Sequence, residues 1–199
     1  MVETVALIHP TVDLCDDFRA LAEEFSSEGD DRYRDAARDV PAFVEICRDH
    51  AAGRNLPSDW VPQTTFWLVR EARTILGCSR LRHRLTEFLA ERGGHIGYDV
   101  RPSERRRGYG TRLLQMTLPE ARRIGLTRVL ITADDSNIAS WRIIERNGGQ
   151  REPGLFVSES GALRRYWLDT LPRISVLRGE RTRQFPAGRS LPPVEWRAK

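Results

Sequence analysis

The sequence predicts an α/β protein of the α+β type, a mixed and mostly antiparallel central sheet of about seven strands with helices on both faces. Three observations point to it. β-Rich runs come in adjacent pairs, Thr64 to Arg70 with Thr74 to Leu81 and Glu152 to Ser158 with Ala162 to Asp169, and runs joined by a short polar turn read as antiparallel hairpins. Between these pairs lies a strand, helix, strand unit, an order that brings helices onto sheet faces. The length of 199 residues, 40% of them hydrophobic, suits one compact domain with a sizeable core.

Taken in order, Thr4 to Ile8 reads as a short strand, and Asp13 as the N-cap of a helix from Leu14 to Phe25. Leu14, Phe18, Leu21 and Phe25 fall at helical spacing. Ser26 to Asp31 is a polar break, and Pro41 suits the first turn of a second helix reaching about Ala51, with Phe43, Val44 and Cys47 as its apolar positions. Gly53 to Pro62 holds Pro57 and Pro62 and is irregular, a loop placed to cover a site. In the first hairpin Phe66 and Leu68 alternate with Trp67 and Val69, so that strand is apolar on both faces and central. Trp60, Phe66, Trp67 and Trp167 read as core or loop-packing aromatics.

Gly94 to Arg101 is the next strand, followed by a Gly- and Arg-rich loop and a helix from about Gly110 to Ile124, with a kink expected at Pro119. Arg128 to Thr132 is a short buried strand, and Asn137 to Asn147 a helix closed by Gly148 and Gly149. The final hairpin turns at Glu159, Ser160 and Gly161.

The net charge of +4 belongs to one end of the chain. Residues from Leu171 onward hold seven bases and two acids, and the preceding 170 residues carry a net charge of −1. We therefore divide the chain into a domain over 1–170 and a basic Pro/Arg-rich tail over 171–199, a solvated extension or a strap onto a second copy in a homodimer. Lys199 is the only lysine, so the arginines reflect a composition bias, and no nucleic-acid partner is expected. Cys15, Cys47 and Cys78 are odd in number and widely spaced, which fits neither a disulfide framework nor a metal site. The first ten residues carry Glu3 and an apolar run only from Val5 to Ile8, so the expectation is a cytoplasmic protein with no membrane partner.

The segment Val100-Arg-Pro-Ser-Glu-Arg-Arg-Arg-Gly-Tyr-Gly-Thr111 carries the chemistry. A strand ends, the chain turns, and a helix opens with Gly108 and Gly110 in its first turn. Unpaired first-turn N–H groups and the helix dipole favour an anion there, and Arg105, Arg106 and Arg107 add positive charge, so a diphosphate is the simplest ligand. The P-loop is excluded because no lysine precedes Lys199, and the dinucleotide fingerprint because Gly108-Tyr109-Gly110 is followed by Thr111, Arg112 and Leu113.

This segment resembles motif A of the GNAT superfamily of acyl-CoA N-acyltransferases, Arg/Gln-x-x-Gly-x-Gly/Ala, as Arg105-Arg106-Arg107-Gly108-Tyr109-Gly110. The likeness continues through the Arg128 strand, Asn137, Ser140 and the helix ending at Asn147-Gly148-Gly149, covering about Thr64 to Asp169 and looking most like a bacterial branch of the family. The resemblance implies acetyl-CoA as acyl donor, held without a metal between the Val100 and Arg128 strands, a splayed parallel pair. It implies that the Val100 N–H binds the thioester carbonyl, that the N–H groups of Arg107, Gly108, Tyr109, Gly110 and Thr111 hold the pyrophosphate, and that Asn137 and Ser140 contact the pantetheine. The activity implied is N-acetylation of a primary amine, on a small molecule or on a protein or peptide, by direct attack in a ternary complex.

One residue departs from the family pattern. Where many members carry a tyrosine as general acid, this chain has Ile144, which has no proton to give. Either Tyr98, Tyr109 or Ser140 serves as the acid instead, or the thiolate leaves to solvent. For the base, His95 has a suitable unperturbed pKa, with His83 and Glu87 as alternatives. Strand alternation puts Ile96, Tyr98 and Val100 on one face and His95, Gly97 and Asp99 on the other. Two other readings stand beside the enzyme, a noncatalytic acyl-CoA sensor and a nucleic-acid-associated protein acting through the basic tail.

Overall fold

In the computed structural model, which describes residues 4–158 and 161–171, the strands form two four-stranded sheets. The first sheet has the order β1 (Val5–Ile8), β2 (Gln63–Arg70), β3 (Thr74–Arg82), β4 (Ile96–Val100). The second runs β5 (Arg128–Asp134), β8 (Gly161–Asp169), β6 (Gln150–Arg151), with β7 (Phe156–Ser158) also pairing with β8. Every strand pair with a ladder is antiparallel. The central sheet expected from sequence is thus divided between β4 and β5. Residues 172–199 of the proposed tail, and Glu159 and Ser160 of the last turn, lie outside the described residues.

Helices α1 (Cys15–Ser27), α2 (Arg34–Arg38) and α3 (Val40–Ala51) lie on one face of the first sheet. Phe18, Leu21, Phe25 and Val44 pack there against Trp67, Val69 and Cys78. The opposite face carries α5 (Tyr109–Arg123), whose Leu113 meets Leu68 and Leu76 and whose Leu114 meets Phe66, Leu81 and Ile96. β2 is apolar on both faces and central, as its sequence predicts, with its interior residues buried. Burying a side chain of this size is worth about 1.5–3 kcal/mol.

Local signals place the helices close to their expected bounds. The first begins through a single 3-10 turn, Val12–Leu14, capped by Thr11, whose hydroxyl accepts from the Asp13 N–H at 3.4 Å, so the cap sits earlier than Asp13. Asp39 caps α3 by accepting from the Ala42 N–H at 3.0 Å, with Pro41 in the first turn. α5 continues through Pro119 to Arg123. α6 (Ile138–Arg146) begins at the Asn137 cap. Three short elements escape sequence reading: α2, α4 (Glu87–Glu91) and β6, each five residues or fewer. The three cysteines are free, and burial raises the Cys47 thiol to about 11. Among the described residues no helix is long and apolar enough to cross a membrane.

Candidate functional site

The division of the sheet creates the site. β4 and β5 meet at His95, whose N–H donates to the Leu130 carbonyl at 2.7 Å and whose Nδ1 accepts from the Leu130 N–H at 2.9 Å. No ladder joins the strands beyond that point. On its other edge β4 is fully paired: the Arg82 N–H bonds the His95 carbonyl, the Arg101 N–H bonds the Leu76 carbonyl, and Gly77 faces Val100 in register. Antiparallel pairing alternates, so Gly97, Asp99 and Arg101 spend their backbone groups on β3. The N–H groups of Ile96, Tyr98 and Val100 therefore point the other way, into the gap before β5. That gap is a cleft of about 290 Å³, lined by Ile96, Tyr98, Ile131 and Ala133 toward the α5 face and by Arg80, Arg82 and Arg92 toward the other.

At one end of β4 the chain is held to its surroundings by buried ion pairs. Arg101 is 8% exposed and donates to Glu24 at 2.6 Å and Asp17 at 2.9 Å, while Glu24 also accepts from the Ser103 N–H. Glu104, 7% exposed, accepts from Arg70 and Arg107, each at 3.0 Å. These anchors fix the loop that enters α5. Gly108 takes φ +86°, a left-handed conformation that glycine adopts without strain, and a Cβ there would meet nothing within 4 Å. Arg112 is the first α5 residue whose N–H reaches back, to the Gly108 carbonyl at 3.1 Å, so the first-turn donors ahead of it point out of the helix end. Gly110 is buried against α6, where a Cβ would come within 2.6 Å of Ile143 Cδ1. Asn147 ties the same two helices by donating to the carbonyls of Thr111, at 3.2 Å, and Ile143, at 2.9 Å.

The loop arginines differ from one another. Arg105 pairs with Glu28 at 2.7 Å and Arg107 with Glu104, whereas Arg106 is exposed at φ +63° and has no ion pair among the described residues. The triple positive charge read from sequence therefore reduces to Arg106 and the backbone donors.

The candidate acids and bases separate clearly. Tyr98 and Ser140 come together in the cleft, their hydroxyls 3.0 Å apart, with the phenol also donating to the Ser140 carbonyl at 3.1 Å. Burial pushes the phenol up to about 12, so it stays protonated. Asn137 lies beside them and caps α6 by accepting from the Ser140 N–H at 3.0 Å. Tyr109 is turned away: its side chain is 7% exposed among Leu68, Leu76 and Leu113, so only its backbone faces the loop. Ile144 is fully buried in the core.

His95 is not placed as a base. With Nδ1 accepting a backbone N–H, the remaining proton sits on Nε2, and burial lowers its pKa. Protonating Nδ1 would break the bond that joins β4 to β5. His83 is held by Thr64 Oγ1 at 2.8 Å, and burial lowers its pKa as well. Glu87 lies outside the cleft and lines a larger cavity of about 720 Å³ with Trp60, Val61 and Phe88, so part of the expected covering loop does border a cavity.

Sequence reading missed the residues on the opposite face of the cleft. Arg80 lines that face, and behind it Asp99, its side chain 8% exposed, accepts from Arg80 at 2.6 Å and from Tyr33, with Arg32 approaching at 3.3 Å. Arg82 lines both cavities. The Arg-x-Arg alternation of Arg80 and Arg82 at a strand end was the available signal. Among the described residues no cluster of side chains is arranged to hold a metal ion.

Comparison with known proteins places this geometry. A family model described as the acetyltransferase (GNAT) family matches residues 18–149. Comparison with curated protein sequences gives no match. Among solved structures, RimJ of Mycobacterium smegmatis in complex with CoA-disulfide is similar with a TM-score of 0.63 and 17% identity, over 83% of this chain and 81% of that one. The Microcin C7 self immunity acetyltransferase MccE, in complex with acetyl-CoA and AMP, gives 0.62 and 14%, over 83% and 92%. The Salmonella typhimurium acetyl transferase that modifies the N-terminal serine of ribosomal protein L7/L12 gives 0.59 and 14%, over 83% and 95%.

Proposed function

Because the chain belongs to the GNAT acetyltransferase family, we propose that it is an acetyl-CoA-dependent N-acetyltransferase acting on a primary amine by direct attack in a ternary complex. One observation carries the reading: the cleft between β4 and β5 presents three unpaired β4 donors beside an open first-turn cradle at Gly108. The residues present fit the donor molecule. A diphosphate suits the first turn of α5 and Arg106, and an extended amide-bearing arm suits a gap edged by strand N–H groups.

When bound, acetyl-CoA supplies a thioester carbonyl already activated toward amines. The Val100 N–H donates to the carbonyl oxygen, a bond that strengthens as negative charge gathers there. Asn137 and Ser140 border the arm, with Ser140 holding the Tyr98 phenol in place. As the N–C bond forms and the C–S bond breaks, the amine loses one proton to solvent and Tyr98 gives one to the sulfur, later regaining it. Tyr98 thus takes the role that Ile144 leaves vacant. On the cleft wall Arg80 and Arg92 are paired with Asp99 and Asp134, and the remaining charge of Arg82 favours the neutral, nucleophilic form of an amine entering the cleft.

The test is release of free thiol from acetyl-CoA across a panel of amino acids, peptides, polyamines and aminoglycosides. Acceptor-dependent release supports the transferase. Saturable binding with no release by any acceptor supports instead the noncatalytic sensor, a reading favoured by the lack of a proton donor at Ile144.

A further inference from the structure

Arg82 is a half-buried cation with no acidic partner among the described residues. Among the described residues its side-chain hydrogen bonds both come from Nη1, to the carbonyls of Gly93 at 3.3 Å and Gly94 at 3.0 Å, leaving Nε and Nη2 uncommitted. Its neighbours are neutralised: Arg80 pairs with Asp99 at 2.6 Å and Arg92 with Asp134 at 3.4 Å. The cleft wall therefore holds one uncompensated positive charge, and burial lowers the pKa of Arg82, as expected where desolvation of a charge is not offset by an anion. A guanidinium with free donors in fork geometry matches a carboxylate.

Arg82 also stands at the junction of two cavities of opposite character. On one side is the polar cleft with Tyr98, and on the other the larger cavity of about 720 Å³, bordered by Trp60, Val61, Phe88 and Leu89. Trp60 is 52% exposed and Phe88 68% exposed, large apolar surfaces left open to solvent at the cavity wall. Asp59 and Glu87 line this cavity too, but both are exposed and screened by solvent.

We infer that Arg82 anchors the acceptor, and that the acceptor is an α-amino acid with a large apolar side chain. Its carboxylate lies on the Arg82 guanidinium, its amine enters the cleft at Tyr98, and its side chain rests among Trp60, Val61 and Phe88. This rests on the acetyltransferase reading and adds the substrate class to it. The balance is that of the transfer itself: the α-nitrogen gains an acetyl group and loses one proton, and the CoA sulfur leaves and gains one.

The experiment compares thiol release with L-phenylalanine, L-leucine, their carboxamides and spermidine. The free acids are expected to exceed their carboxamides about tenfold or more in kcat/KM, and Arg82→Gln is expected to raise the KM for L-phenylalanine about ten- to a hundredfold and collapse the acid-to-amide ratio toward one. Arg82→Lys, which keeps the charge without the fork, should recover part of that ratio. A second readout needs no turnover: N-acetyl-L-phenylalanine should bind the CoA-loaded wild-type protein and not Arg82→Gln. Equal or better use of the carboxamides or spermidine overturns the proposal and leaves the acetyltransferase standing. No thiol release with any amine contradicts the acetyltransferase itself, and the N-acetyl-L-phenylalanine titration then still decides the anchor.

Discussion

At the residue scale, Gly108, Tyr98 and His95 each do something a neighbouring residue type cannot. Gly108→Asp puts an L side chain at φ +86° and a carboxylate beside donors aimed at an anion. Because its Cβ would face open space, the fold should survive, and calorimetry with acetyl-CoA should give no saturable heat while circular dichroism matches the parent. Tyr98→Phe keeps the packing and removes the proton, so kcat should fall about a hundredfold with little change in the KM for acetyl-CoA. His95 is a stability residue with a pH signature. Burial holds its folded pKa below the ordinary histidine value, so the unfolded chain takes up the proton first and stability declines as pH falls through about 6.5 and below. The thermal midpoint should drop between about pH 7 and about pH 5, and less steeply in His95→Asn. Tyr98 and Ser140 were legible as candidates because strand alternation and helix capping set where they point. The fate of His95 was not, because its partner Leu130 lies 35 positions away and belongs to another sheet.

At the scale of elements, the strand that matters is β4, paired on one edge and free on the other. Its entry is the tightest point: Gly94 sits at φ +63°, and a Cβ there would lie 2.3 Å from the Leu130 carbonyl oxygen, a backbone atom with no room to yield. Gly94→Ala should therefore cost about 2–4 kcal/mol in denaturant unfolding by overpacking and backbone strain together. The strands β2, β3 and β5 and the helices α1, α3, α5 and α6 were readable because periodicity, caps and turn residues all agree along each segment. The short α2, α4 and β6 were not, since five residues or fewer carry too little pattern to rise above their loops. Arg82 escaped for a different reason. A strand end rich in arginine resembles an ordinary solvated edge until the loop at Gly93 and Gly94 folds over it.

At the scale of the whole molecule, one antiparallel sheet packed by α1 and α3 meets a second at the entry to β4, where His95 bonds Leu130 and Gly93 bonds Thr132, and beyond that point the boundary is a cleft. The sequence pattern supplies the strands but not the place where pairing stops, because that depends on long-range partners rather than on local alternation. A ligand seated in the cleft touches both sheets, so it should raise the thermal midpoint, by an amount equivalent to about 2.7 kcal/mol at a hundredfold excess over Kd. The most direct measurement is calorimetric titration of the protein with acetyl-CoA, run beside Gly108→Asp and followed by thiol release with the amine panel. Saturable binding by the parent, its loss in the variant, and acceptor-dependent thiol release are the expected result. Absence of binding by the folded parent would contradict the assignment of the β4–β5 cleft and the α5 cradle as the acyl-CoA site.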